Sequence, residues 1–234
     1  MIPIKEDPSC YISKTQQEIL GLLSRINIIT NHFFITGGTA LAVFYIHHRY
    51  SEDIELFTID FRDLAGVDIA LKRIFQKDLS LIQSSDDFYQ YLIRGVKVDI
   101  VFDHLSIKTK RYSENLEMGS KIKVDSMDNI SSNKLSAMAS RFESKDMIDF
   151  YYISKMIWKD DKRQYFFECY EMAREKEALL DDPAMAAYQI EELLNQIVDR
   201  KSINLPPMRE EVDLEDFENE MRGYINIIYG MQKW

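Results

Sequence analysis

Two carboxylates, Asp53 and Glu55, stand two residues apart in the run Ser51-Glu52-Asp53-Ile54-Glu55-Leu56-Phe57. Their alternation with Ile54 and Leu56 is that of a strand with one buried face, on which residues i and i+2 point the same way. Both acids then face one side and both aliphatics the core. Like charges held close together repel, which invites a cation between them. Mg²⁺ takes carboxylate oxygens together with substrate phosphates, usually with only one or two protein carboxylates. Upstream, the apolar run 33–36 breaks at Gly37-Gly38 and leads into Thr39. A Gly-Gly turn that opens a helix offers backbone N–H groups to phosphate. Together these residues read as a metal-dependent nucleotidyl-transfer site, with Asp53 and Glu55 on the metal and Gly37, Gly38 and Thr39 around the β- and γ-phosphates.

The elements that must position these groups follow from periodicity. Residues 13–27 carry Ile19, Leu20, Leu22, Leu23 and Ile26 near a 3.6 period, a helix. Residues 33–36 and 53–58 read as strands, with helices at 39–47 and 61–77. Three strands follow at 79–84, 88–94 and 96–102, with Ser85-Asp86-Asp87 and Gly95 as turns. In the last of these, Asp99 lies on the face opposite Val96, Val98, Ile100 and Phe102. If that strand lies beside 53–58, Asp99 completes a carboxylate triad. Residues 103–123 hold His104, Lys108, Lys110, Arg111, Lys121 and Lys123 against few acids, a candidate contact for triphosphate or RNA backbone, and 122–124 reads as one more strand.

Beyond 125 the pattern is helical. A helix start is expected at 126–130, with Asp128 or Ser131 as cap, then helices at 134–142, 146–158, 165–180, 183–198 and 214–231, with a break at Leu205-Pro206-Pro207. The expected organisation is an α/β core over 1–125 and a helical lobe over 126–234 packed against it.

Composition narrows the function classes. The chain has 234 residues, 46% hydrophobic and 29% charged, an ordinary globular balance. No positively charged start precedes an apolar stretch and no run is long enough to span a bilayer, so a cytoplasmic location is expected. Cys10 and Cys169 are far apart and lack a CxxC partner, which makes disulfide and zinc readings weak. His47 and His48 are adjacent on an expected helix and point in different directions, which disfavours a metal pair. The formal net charge of −10 argues against a general nucleic-acid coat, though not against a local basic groove.

The Gly37-Gly38-Thr39 turn, the Asp53-Ile54-Glu55 pair and the His48-Arg49-x-Ser51 segment before it resemble the AbiEii/AbiGii-type nucleotidyltransferase toxins, within the DNA polymerase β-like nucleotidyltransferase superfamily. The block Lys134-Leu135-x-Ala137-x-x-x-Arg141-x-x-x-Lys145-Asp146-x-x-Asp149 matches that group's second signature, and Lys97-Val98-Asp99-Ile100 resembles the strand of the third acid. The resemblance covers roughly residues 30–155; Glu55 departs from the commoner Asp. It implies an α+β fold, a mixed sheet flanked by helices with a C-terminal helical lobe. It implies metal held by Asp53, Glu55 and Asp99, with Mg²⁺ expected and Mn²⁺ as an alternative. It further implies catalytic roles for these acids and for Lys134 and Asp146, with Lys134 at the triphosphate and Asp146 orienting the nucleotide. His48, Arg49, Ser51, Arg141, Lys145 and Asp149 are RNA-facing or structural.

The function implied is a toxin that transfers a nucleotide from an NTP to RNA, such as a tRNA 3′ end, countered by a cognate antitoxin. Modification of a protein or small-molecule hydroxyl, or a binding module that has lost catalysis, are the alternatives. Singly, each residue also has a plainer reading: solvated edge-strand acids for Asp53, Glu55 and Asp99, an ordinary turn for Gly37-Gly38, surface cover for Lys134 and Arg141, and a helix N-terminal acid for Asp146.

Overall fold

Ser13 accepts a hydrogen bond from the Gln16 N–H at 3.2 Å and starts α1 (Lys14–Leu23). The expected helix over 13–27 stops there. Ile26 is extended, and a second short helix, α2 (Asn27–His32), redirects the chain into β1 (Phe33–Ile35). Leu23, Ile26 and Ile29 are all buried across the break, so the apolar spacing runs on while the backbone turns. The computed structural model describes residues 4–106, 110–159, 161–199 and 205–231; Lys108 of the basic segment lies outside them. Contacts divide the chain into two compact units, Met1–Met127 and Asp128–Trp234.

The first unit is a seven-stranded mixed sheet. β2 (Ile54–Thr58), β3 (Leu79–Ser84), β4 (Phe88–Ile93), β5 (Val96–Phe102), β6 (Arg111–Asn115) and β7 (Lys121–Asp125) join β1 in the order β3-β4-β5-β2-β1-β7-β6. β1 runs antiparallel to β2 and parallel to β7, and β2 runs parallel to β5. β6 was not expected. It is an edge strand of polar, half-exposed residues, and such a strand has no apolar alternation to read.

The helix after the Gly-Gly turn also differs from expectation. α3 (Gly37–Thr39) passes directly into a π-helical stretch, Ala40–Tyr45, in which the Ile46 N–H reaches back five residues to the Leu41 carbonyl at 2.9 Å. All six residues of that stretch are apolar and buried, so packing on every side replaces the one-sided stripe of a surface helix. α4 (Leu64–Phe75) is capped by Asp63 and buries Leu64, Val67, Leu71 and Phe75.

The second unit contains α5 (Met127–Ser140), α6 (Ser144–Met156), α7 (Lys162–Arg174), α8 (Pro183–Val198) and α9 (Leu214–Gly230). Asp161, Asp182 and Asp213 cap the last three through backbone N–H groups. Asp128 and Ser131, expected as caps, lie inside α5 instead. The helix expected over 165–180 ends at Arg174, and a 3₁₀ turn (Ala178–Asp181) follows. Phe150 organises this core, with ring centroids 5.2 Å from Trp158, 5.7 Å from Tyr224 and 6.3 Å from Phe166. No helix among the described residues is long and apolar enough to cross a membrane.

Candidate active site

Parallel pairing of β2 with β5 puts Glu55 directly opposite Asp99 and Ile54 opposite Val98. The buried residues of both strands share one face, and Glu55, Lys97 and Asp99 share the other. Asp53, one residue ahead of β2, faces the same side. Lys97 Nζ lies 2.8 Å from Asp53 Oδ2 and 3.8 Å from Asp99 Oδ2. Gln90 on β4, opposite Asp99 in the antiparallel register, donates its amide N–H to Asp99 Oδ1 at 3.0 Å. Burial works against the charge on Lys97. The Asp53 hydrogen bond and the charges of Asp53, Asp99 and Glu55 outweigh it and hold the ammonium above its usual range. Sequence reading did not single out Lys97 or Gln90. For Lys97 a signal was present, since it stands two residues before Asp99 on one strand and so shares its face.

The turn before α3 closes on this cluster. The Gly38 N–H donates to Glu55 Oε2 at 3.1 Å. Gly37 has φ +63°, and a Cβ there would stand 1.7 Å from Glu55 Oε2. A Cβ on Gly38 would stand 2.2 Å from Arg49 Nη2. The two glycines therefore allow a close approach that no side chain permits. Gly37→Ala is expected to cost about 1–2 kcal/mol of stability from the left-handed backbone alone. It should also displace Glu55, so transfer activity falls by more than the stability loss explains. A denaturant midpoint and an initial rate on the same preparation check this.

Thr39 was expected to offer its hydroxyl to phosphate. In the structure the hydroxyl is buried, 2.5 Å from Ser51 Oγ, and donates to the Asp53 carbonyl. It ties the turn to the start of the acid-bearing strand, a long-range contact that local spacing does not reveal. His48, Arg49 and Ser51 are buried as well, and Arg49 Nη1 donates to the Tyr50 carbonyl at 2.8 Å. Their burial favours the structural of their two readings over the RNA-facing one. In the basic segment, Arg111 is ion-paired with Asp125 and stacks 4.1 Å above the Phe34 ring, and Lys123 donates to the Asn31 carbonyl.

In the second unit, Asp146 is fully buried. Lys134 Nζ lies 2.8 Å from Asp146 Oδ1 and 2.7 Å from Asp149 Oδ2, and Arg141 Nε donates to Asp146 Oδ2 at 2.8 Å. Burial alone would raise the Asp146 carboxyl. Lys134 and Arg141 outweigh it and hold the group below the usual carboxylate value. Lys145 pairs with Glu143 at 3.0 Å.

The first unit offers carboxylate oxygens, the ligand type that divalent cations take together with phosphates. Asp53, Glu55 and Asp99 lie on one sheet face, the Lys97 ammonium lies between Asp53 and Asp99, and the glycine turn beside them has no room for a side chain. A family model described as nucleotidyl transferase AbiEii toxin, type IV toxin–antitoxin system, matches residues 22–227. The uncharacterized protein aq_aa25 of Aquifex aeolicus (strain VF5) is 26% identical over 144 residues, 62% of this chain and 68% of that one. The crystal structure of JHP933 from Helicobacter pylori superposes with a TM-score of 0.51 at 15% identity, covering 97% of this chain and 94% of that one. A second H. pylori structure, described as a candidate nucleotidyltransferase, gives 0.53 at 15% identity over 94% and 97%. These two likenesses show a shared fold.

Proposed function

Because the chain belongs to the nucleotidyl transferase AbiEii toxin family of type IV toxin–antitoxin systems, we propose that this nucleotidyltransferase moves a nucleotide from a nucleoside triphosphate to an RNA hydroxyl. The 3′ end of tRNA is the acceptor class in this reading, pyrophosphate leaves, and a cognate antitoxin opposes the reaction in the cytoplasm. The placement of Asp53, Glu55 and Asp99 on one sheet face beside the Gly37-Gly38 turn carries the proposal.

Asp53, Glu55 and Asp99 are the residues that would hold Mg²⁺, or Mn²⁺ in its place. Bound there, the ion supplies neutralisation of charge on the transferring phosphates. The protein's own part is positioning. The Gly37-Gly38 turn faces the β- and γ-phosphates, with the Gly38 N–H exchanging its Glu55 contact for a phosphate oxygen, and Thr39 and Ser51 lock that turn to Asp53. Asp99, oriented by Gln90, accepts the proton of the attacking hydroxyl. A bond forms from the acceptor oxygen to the α-phosphorus, and the bond from that phosphorus to the pyrophosphate oxygen breaks. Residues 1–125 form the catalytic core in this reading, and 126–234 the helical lobe. Catalytic roles for Lys134 and Asp146 rest on the motif resemblance. Their geometry supports a buried charge cluster that fixes α5 to α6.

A second reading, transfer to a protein or small-molecule hydroxyl, is favoured by the net charge of −10 and by the engagement of Arg111 and Lys123 within the fold. Incubation of the protein with Mg²⁺, each labelled nucleoside triphosphate in turn, and total RNA plus protein extract separates the two. Label in tRNA-sized RNA, absent with Asp53→Ala, is the expected result. Label in protein moves the assignment to the second reading, and no label in either fraction overturns both.

A further inference from the structure

We propose that Asp7, Cys10 and His47 form a zinc-binding site that ties the N-terminal segment to the end of the helix opened by the Gly-Gly turn. One carboxylate oxygen, the Cys10 sulfur and one ring nitrogen of His47 all lie within 4.8 Å of one another. Cys10 Sγ is 3.9 Å from His47 Nδ1. A tetrahedral ion with bonds of about 2.0–2.3 Å needs its ligands roughly 3.3–3.8 Å apart. The cluster is therefore within side-chain rotation of that geometry. The His47 Nδ1 also faces the Ala42 carbonyl at 3.1 Å. Ligation through Nδ1 exchanges that contact for the metal and leaves the ring proton on Nε2, while the thiol gives up its proton.

The donor set selects the metal. Thiolate and imidazole suit Zn²⁺, whereas Mg²⁺ and Ca²⁺ take oxygen ligands. This site is thus chemically distinct from the carboxylate cluster on the sheet. Three protein ligands leave a fourth position, and the cluster borders a cleft of about 580 Å³ lined by Lys5, Glu6, Asp7, His47 and Glu117 among others, where water has access.

The backbone around the cluster is built to hold it. Asp7 caps the 3₁₀ turn Pro8–Cys10, its Oδ1 accepting from the Ser9 N–H at 3.0 Å and the Ser9 hydroxyl at 2.6 Å, so Asp7 and Cys10 stand at the two ends of one turn. The Asp7 N–H donates to the Val43 carbonyl at 2.8 Å and the Lys5 N–H to Phe44 at 3.1 Å, so the segment is pinned along the π-helical stretch. His47, just beyond that stretch, has φ +61°, a left-handed conformation that costs a non-glycine residue about 1–2 kcal/mol. That backbone turns the ring toward Cys10. The contact joins positions 37 apart in the chain.

Cobalt(II) titration of the metal-stripped protein tests the assignment without using activity. One equivalent should produce a thiolate-to-cobalt charge-transfer band that Zn²⁺ abolishes and excess Mg²⁺ leaves in place. The band should persist in Cys169→Ala and Asp53→Ala and vanish in Cys10→Ala. His47→Asn is the second variant, because Asn tolerates the left-handed backbone while lacking the imidazole. Its Zn²⁺ affinity should fall by more than the roughly 10- to 100-fold typical of losing an outer-shell partner. No band with the unaltered protein, or a band indifferent to both Cys10→Ala and His47→Asn, overturns the proposal. Loss of transfer in Asp53→Ala with the band intact separates this site from the nucleotidyl-transfer reading.

Discussion

Replacing Asp53 with alanine is expected to lower the rate of nucleotidyl transfer by about 10³-fold or more, with the fold retained. A carboxylate that holds charge-neutralising cations at a phosphoryl centre contributes several kcal/mol to the transition state, and each 1.36 kcal/mol is tenfold in rate. The structural cost is much smaller. Asp53 is partly exposed and its ion-pair partner Lys97 is more than a third exposed, so the pair contributes on the order of 0–1 kcal/mol to stability. Rate and stability should therefore separate cleanly. Initial rates at saturating nucleoside triphosphate, with circular dichroism and a denaturant midpoint on the same sample, check both halves. An Asp53→Ala enzyme within tenfold of the parent rate would remove Asp53 from the site.

Asp146→Asn is expected to destabilise the helical unit by about 1–3 kcal/mol, because it removes the anion that Lys134 and Arg141 share while Asp149 still pairs with Lys134. The effect depends on pH with a definite sign. The folded Asp146 carboxyl lies below the ordinary value of 3.8, so its stabilisation is present in full above that value. It declines as pH falls through the folded value, where the native carboxylate at last takes up its proton. The gap between parent and Asp146→Asn denaturation midpoints should stay constant from pH 7 to about pH 5 and narrow only in stronger acid. A gap that narrows with rising pH instead would contradict the assignment of the charged form to the native state.

Much of the candidate site was legible because it rests on local periods. The Asp53-Ile54-Glu55 alternation declares a strand with acids on one face, and the alternation of Asp99 with Val98 and Ile100 does the same on the strand that pairs beside it. A Gly-Gly break between an apolar run and a helix announces a turn, though not that its Gly38 N–H reaches Glu55. Helix α8 (Pro183–Val198) begins at a proline preceded by a capping aspartate, two signals that act within one turn, and its expected bounds agree with the structure. The break between α1 and α2 and the polar edge strand β6 were not legible. Ile26 and Ile29 continue the apolar spacing through a change of direction, and an edge strand does not need a second apolar face.

What the amino-acid order determined by itself was the set of short-range patterns: which residues alternate, where helices start, and which acids share a face. Only the tertiary structure decided which of those faces meet. It set Glu55 against Asp99 in register, put the Lys97 ammonium between Asp53 and Asp99, and committed the Thr39 hydroxyl to the Asp53 carbonyl. It also brought Cys10 to His47, a pairing that neither residue's neighbours foretell. The physical reason is that a periodic signal arises from one element burying its own face. A contact between distant elements depends on strand order, register and the turns between them, and none of these leaves a repeat in the sequence.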